Sequence, residues 1–167
     1  MSKNFVAVLM GSDSDLNIMQ ITLDTLKQLG VNYEVKITSA HRTPERTQQY
    51  VKDADQRGCQ VFITAAGLAA HLGGAVAACT CKPVIGVPIN AGPLNGFDAL
   101  LSTVQMPGGV PVATVAIGNA GAKNAAYLAA QILALGDKDL AERLLRDRLT
   151  KVEEIIAKDN ALQQSNL

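Results

Sequence analysis

The sequence predicts a single α/β domain in three layers, with helices on both faces of one parallel sheet. Three observations carry this. Short apolar runs alternate along the chain with segments whose apolar residues recur at helical spacing. Each interval between strand-like runs is filled by a helical segment, so the connections are crossovers rather than hairpins. The length, 167 residues, suits one domain with a real core and leaves little room for two.

Val6–Met10 is a short apolar run that stops in a Gly/Ser/Asp cluster and reads as a buried parallel strand. Leu16, Met19, Leu23, Leu26 and Leu29 then form one helical stripe, with Gly30 placed to end it. Tyr33–Ile37 alternates apolar with charged residues, the pattern of an edge strand. Thr43-Pro44 marks a helix start, Thr as N-cap and Pro in the first turn, and Gly58 ends that helix after Arg57. The run 61–65 is predicted as a central strand, followed by a Gly- and Ala-rich helix from about Ala70 to Cys79. The fourth strand spans 84–87 between Pro83 and Pro88. A loop rich in Asn, Gly and Pro leads to a short helix over 97–104, and Pro111–Ile117 supplies the fifth strand. An Ala-rich helix over 120–135 closes at Gly136. Asp137 can cap a last helix that carries Leu145, Leu149, Val152 and Ile156 on one side, a stripe expected to pack against another subunit. Residues 1–160 form the expected domain, and 161–167 a frayed tail. Such an arrangement is flavodoxin-like or Rossmann-like.

Composition narrows the function classes. Lys+Arg and Asp+Glu balance at fifteen each, whereas nucleic-acid binding usually brings a basic excess. No basic run suggests a membrane surface, and the apolar run 5–10 is too short for a signal core or a membrane span. Three cysteines without a secretory signal point to reduced thiols and a cytoplasmic setting. Cys79-x-Cys81 has no second ligand pair, so a zinc site is not expected.

In an open parallel sheet, ligands bind beyond the carboxyl ends of the strands. Three loops there carry unusual residues. Gly11-Ser-Asp-Ser-Asp15 can hold an anion on backbone N–H groups and Ser hydroxyls, or can simply cap the first helix. Two Asp side chains oppose a polyanion, and there is no G-x-G-x-x-G for a dinucleotide. Ser39-Ala-His-Arg-Thr-Pro44 offers Arg42 for a phosphate and His41 for proton transfer, or else a surface His beside a solvated Arg. In the third loop, 65–74, His71 sits among small apolar residues, either bonded to backbone or lining a tight pocket. Both of the chain's histidines thus fall at one sheet edge. The residues point to proton transfer on a small phosphorylated ligand, with no metal and no redox cofactor.

At these loops the sequence resembles the family of N5-carboxyaminoimidazole ribonucleotide mutases. Gly11-Ser-Asp-Ser-Asp15, Ser39-Ala-His-Arg-Thr-Pro44, Ala69-Ala-His-Leu72 and Val104-Gln-Met-Pro107 match its signature segments in order, extended by 83–88 and 124–131. The resemblance implies an isomerase of purine (IMP) biosynthesis with no cofactor, bound CO2 as an intermediate, and a mononucleotide site shared between the subunits of a homo-octamer. It implies His41 as the catalytic histidine. Ser12, Asp15 and Arg42 bind substrate, Ser14 and Ser39 help with phosphate, and Gly67, His71 and Leu72 belong to the loop over the base. Asp15 has the wrong charge for phosphate and suits ribose hydroxyls. Two positions depart from the family pattern: glycine is expected where Leu68 stands, and often proline where Gly73 stands. The related aminoimidazole ribonucleotide carboxylases, which take CO2 directly, share the Ser-Ala-His loop but are expected to have Lys-Thr in place of Arg42-Thr43. A non-catalytic nucleotide-binding module, or a purely structural assembly protein built on the last helix, are readings of other classes.

Overall fold

The computed structural model describes residues 4–165. Five strands form one parallel sheet: β1 (Phe5–Met10), β2 (Tyr33–Ile37), β3 (Cys59–Gly67), β4 (Val84–Ile89) and β5 (Ala113–Thr114), in the order β2-β1-β3-β4-β5. The helices are α1 (Leu16–Gln28), α2 (Pro44–Arg57), α3 (Leu72–Ala77), α4 (Phe97–Val104), α5 (Asn119–Ala134) and α6 (Lys138–Ser165). A single 3-10 turn over Asp13–Asp15 precedes α1. None of these helices is long and apolar enough to cross a membrane.

Strand alternation divides the core into two layers. Val6, Val8 and Met10 of β1 join Val61, Ile63 and Ala65 of β3 against α1 and α5. Phe5, Ala7 and Leu9 turn the other way, to Tyr50, Val51 and Ala54 of α2 and Leu72 and Val76 of α3. The abundance of alanine has a packing reason. Ala122, Ala125, Ala126 and Ala129 are fully buried, and their small side chains let α5 lie close to α1. At this contact the buried Thr22 hydroxyl donates to the Ala122 carbonyl at 2.7 Å. The sequence-predicted edge strand, central strand and stop residues are found: β2 is at the edge, β3 is in the middle, and Gly30 and Gly58 take φ of +69° and +100° at their helix ends.

Several boundaries differ. The third helix starts at Leu72 rather than Ala70 and ends at Ala77, because the Ala70 amide is held by the Ser102 hydroxyl outside the helix. Pro88 lies inside β4, not beyond it. Its carbonyl accepts from the Gly118 amide while the ladder to β5 involves only Ile85 and Gly86, so the missing N–H leaves no partner waiting. The expected seven-residue fifth strand shrinks to two residues at the other edge. Thr43 is the N-cap of α2 by position, yet its hydroxyl bonds to Ser39 rather than capping the helix. Asp137 does cap α6, its Oδ1 accepting from the Leu140 amide at 2.9 Å. The segment expected to fray is helical through Ser165, and residues 166 and 167 of that tail lie outside the described residues. Leu145, Leu149, Val152 and Ile156 are each at least half exposed on the isolated chain.

Candidate active site

The chain turns in opposite directions after β1, to β2 on one side and β3 on the other, and this is the switch point where parallel sheets hold ligands. A cavity of about 490 Å³ opens there, a size that accommodates a small-molecule ligand. It is lined by the loops after β1, β2 and β3 and by Ala91 from the loop after β4. Ser12, Ser14, Asp15, Ser39, His41, Arg42, Gly67, His71 and Leu72 all border it. The structure thus gathers every site residue named from the sequence into one hollow.

The first loop caps itself and still faces the cavity. The Ser14 amide donates to Ser12 Oγ at 3.3 Å, and the Ser12 amide returns a bond to Asp15 Oδ2 at 3.2 Å. That reciprocal pair is a capping box on the 3-10 turn that leads into α1, while α1 itself has no side-chain cap. Asp15 is only 7% exposed. Burial raises its carboxyl above the ordinary carboxylate range, opposed by the bonds from Ser12 and Ser14.

In the second loop, the Arg42 amide donates to Ser39 Oγ at 3.1 Å, and Arg42 Nη2 reaches the Gly11 carbonyl at 3.4 Å. Among the described residues Arg42 pairs with no carboxylate. Its guanidinium therefore keeps donors available for an anion over the Ser12–Ser14 rim.

The third loop brings the second imidazole to the first. His41 Nε2 and His71 Nδ1 lie 2.7 Å apart, with the rings edge to face. A hydrogen bond of that length needs one proton between the two nitrogens. Leu68 holds a φ of +55° in this loop, a left-handed conformation that glycine adopts without penalty. The expectation of glycine at this position thus has a backbone reason. The Leu68 side chain lies over Gly92, whose own φ is +72° and where an added Cβ would come within 2.5 Å of Leu68 Cδ2. Gly67 is required by close approach: a Cβ there would be 2.8 Å from Ala91 Cβ.

Two contributors escaped the sequence reading. Ala91 belongs to a loop flagged only by its Asn, Gly and Pro content. Ser102 of α4 donates to the Asp98 carbonyl at 2.6 Å and accepts from the Ala70 amide at 2.9 Å, pinning the loop that carries His71. A serine inside a predicted helix gives no local sign of that role. No group of three or more His, Cys, Asp or Glu side chains among the described residues is arranged to hold a metal.

Comparison with known proteins adds a third line to the fold and the site. The family described as AIR carboxylase matches residues 5–154. The chain is 50% identical to the N5-carboxyaminoimidazole ribonucleotide mutase of Thermotoga maritima over 95% of its length and 92% of that protein. It is 54% identical to the protein of the same name from Pyrococcus horikoshii, over 91% of this chain and 86% of that one. The crystal structure of Treponema denticola PurE superposes with a TM-score of 0.87 at 32% identity, covering 96% of this chain and 99% of that one.

Proposed function

The chain belongs to the AIR carboxylase family, and from that premise we propose that it is an N5-carboxyaminoimidazole ribonucleotide mutase, an isomerase of purine biosynthesis. The reaction moves a carboxylate from N5 to C4 of 5-aminoimidazole ribonucleotide. The observation that carries this reading is His41, in bonding contact with His71, beside a cavity rimmed by Arg42, three serines and a buried carboxylate. Arg42 with Ser14 and Ser39 receives the phosphate, and Asp15 accepts from ribose hydroxyls.

Protonated His41 gives its proton to N5. The N5–carboxyl bond breaks and releases CO2 and the aminoimidazole. The small side chains of Ala66 and Ala69 and the bare backbone of Gly67 leave a niche beside His41 in which CO2 is retained, and retention makes recombination effectively unimolecular. C4 attacks the CO2 carbon and forms the new C–C bond. The now neutral His41 takes the proton from C4, restoring the aromatic ring and its own starting state. The proton lent equals the proton recovered, so no external acid, base or oxidant is consumed. Positioned proton transfer of this kind contributes about 10²–10⁴-fold.

The same reading makes the protein a homo-octamer working in the cytoplasm. The exposed apolar stripe of α6 supports assembly, as does a hollow of about 680 Å³ between α5 and α6, lined by Tyr127, Leu128, Leu144 and Leu145. Three free thiols suit a reducing compartment. A paired-substrate assay tests the chemistry. Rapid turnover of N5-carboxyaminoimidazole ribonucleotide, with slow carboxylation of aminoimidazole ribonucleotide at modest bicarbonate, is expected. The reverse pattern would assign the direct carboxylase reaction instead.

A further inference from the structure

His41 depends on its loop for placement. Its ring has one hydrogen-bond partner among the described residues, His71, which itself sits on an exposed loop. What fixes the backbone of the 39–43 turn therefore fixes the imidazole. That turn rests on three threonines from two elements. Thr38 follows the last residue of β2, and its amide extends the ladder by donating to the Met10 carbonyl at 2.8 Å. Thr43 closes the turn, and Thr47 lies one helical turn into α2.

The hydroxyl protons can be assigned one by one. Thr43 Oγ1 accepts from the Ser39 amide at 2.9 Å and donates to the Ser39 carbonyl at 3.2 Å. Thr47 Oγ1 donates to the Thr43 carbonyl at 3.1 Å. Thr38 Oγ1 then donates to Thr47 Oγ1 at 2.7 Å. Each hydroxyl uses its single proton once, and the relay grips the turn at both ends, Ser39 and Thr43. Thr38 and Thr47 are each 3% exposed and touch no wall of the cavity. Satisfied hydroxyl networks of this kind rigidify what they hold, and a missing member leaves a buried donor searching for a partner.

We propose that Thr47 and Thr38 are positioning residues for His41, the hydroxyl pair between β2 and α2 setting where the imidazole sits against the substrate ring. In Thr47→Val the shape is kept but the acceptor for Thr38 is gone. The Thr38 proton then turns to Thr43 Oγ1, 3.2 Å away, pulling on the hydroxyl that holds Ser39, and the Thr43 carbonyl loses the Thr47 hydroxyl. The turn then shifts and carries His41 with it.

The inference rests on His41 being the acid and base of the proposed reaction, so His41→Asn is run in parallel. Thr47→Val is expected to lower kcat on the order of ten-fold with a smaller rise in KM, since misplacement acts most on the chemical step while Ser39 and Arg42 ride on the same turn. Thr47→Ser, which keeps the hydroxyl, should restore most of the kcat. Full kcat in folded Thr47→Val, or equal losses in the Val and Ser variants, would overturn the positioning role. If Thr47→Val does not fold, Thr38→Val removes the same bond from the β2 side and carries the same expectation. If neither valine variant folds, the pair is structural and the proposal fails. An active His41→Asn enzyme would instead remove the catalytic reading itself.

Discussion

His71 Nδ1 stands 2.7 Å from His41 Nε2 with the two ring planes perpendicular, so a single proton on that line serves both imidazoles. Two bare lone pairs would repel at this distance, and two N–H groups would clash. His71 thus occupies one nitrogen of the ring proposed to carry the proton. His71→Leu removes that partner and leaves His41 unoriented. The kcat for the mutase reaction should fall about ten-fold, against about 10²–10⁴-fold for His41→Asn, which removes the proton carrier itself. Steady-state kinetics of the two single variants and the double variant decide the matter. The double should match His41→Asn alone, because a partner has nothing left to orient once the carrier is gone.

Asp15 carries a cost in stability through its burial. Burial lifts its carboxyl above the ordinary value of 3.8, so between 3.8 and the raised value the native state binds the proton more tightly than the unfolded chain does. Stability then falls as pH rises through that interval, and the penalty is fully present at neutral pH. Asp15→Asn should raise Tm at pH 7, and the gain should shrink as the pH is lowered toward 4. The same change should raise KM by about 10- to 100-fold, the worth of one hydrogen bond to a charged group. A lower Tm at pH 7 would show that the carboxylate's bonds to Ser12 and Ser14 outweigh its burial.

How much of this was legible beforehand depended on the range of the interaction. Helix stops at Gly30 and Gly58, the Pro44 start and the edge character of Tyr33–Ile37 are local, and the sequence displays them. Strand topology placed His41 and His71 at one edge of the sheet, but not in contact across thirty residues of chain. The shortness of β5 and the inclusion of Pro88 in β4 follow from which neighbour each strand meets, something no single segment encodes. The Thr38–Thr47 pair looks in sequence like two ordinary residues, one at a strand end and one inside a helix. Only the packing of α2 against β2 brings their oxygens within 2.7 Å.

The stripe on α6 makes assembly testable without altering any residue that lines the cavity. Leu149 is 52% exposed on the single chain, and its neighbours on that side are Leu145, Val152 and Ile156. Leu149→Glu should leave circular dichroism unchanged while sedimentation shifts from the proposed octamer to smaller species, because a charge buried at an interface is strongly disfavoured. An unchanged octamer would place the subunit contact elsewhere.

Two glycines separate pocket shape from stability. At Gly121, in the first turn of α5, an added Cβ would stand 1.6 Å from the Ala116 carbonyl oxygen, so backbone must move. Gly121→Ala should cost about 1–3 kcal/mol or more, seen as a lower midpoint in urea, since nothing flexible can yield. At Gly67 the close neighbour is Ala91 Cβ, 2.8 Å away on the loop between β4 and α4, with the Ile89 carbonyl at an ordinary 3.4 Å. The Ala91 Cβ moves only with its backbone, so Gly67→Ala should cost about 1 kcal/mol or more, as overpacking does. Its damage should also appear in turnover, because moving Ala91 reshapes the wall of the cavity in which CO2 is proposed to be held. We expect kcat to drop about ten-fold, accompanied by net release of CO2 and aminoimidazole ribonucleotide in place of product. Loss of activity without that leakage would mean that the niche at Gly67 does not confine the intermediate.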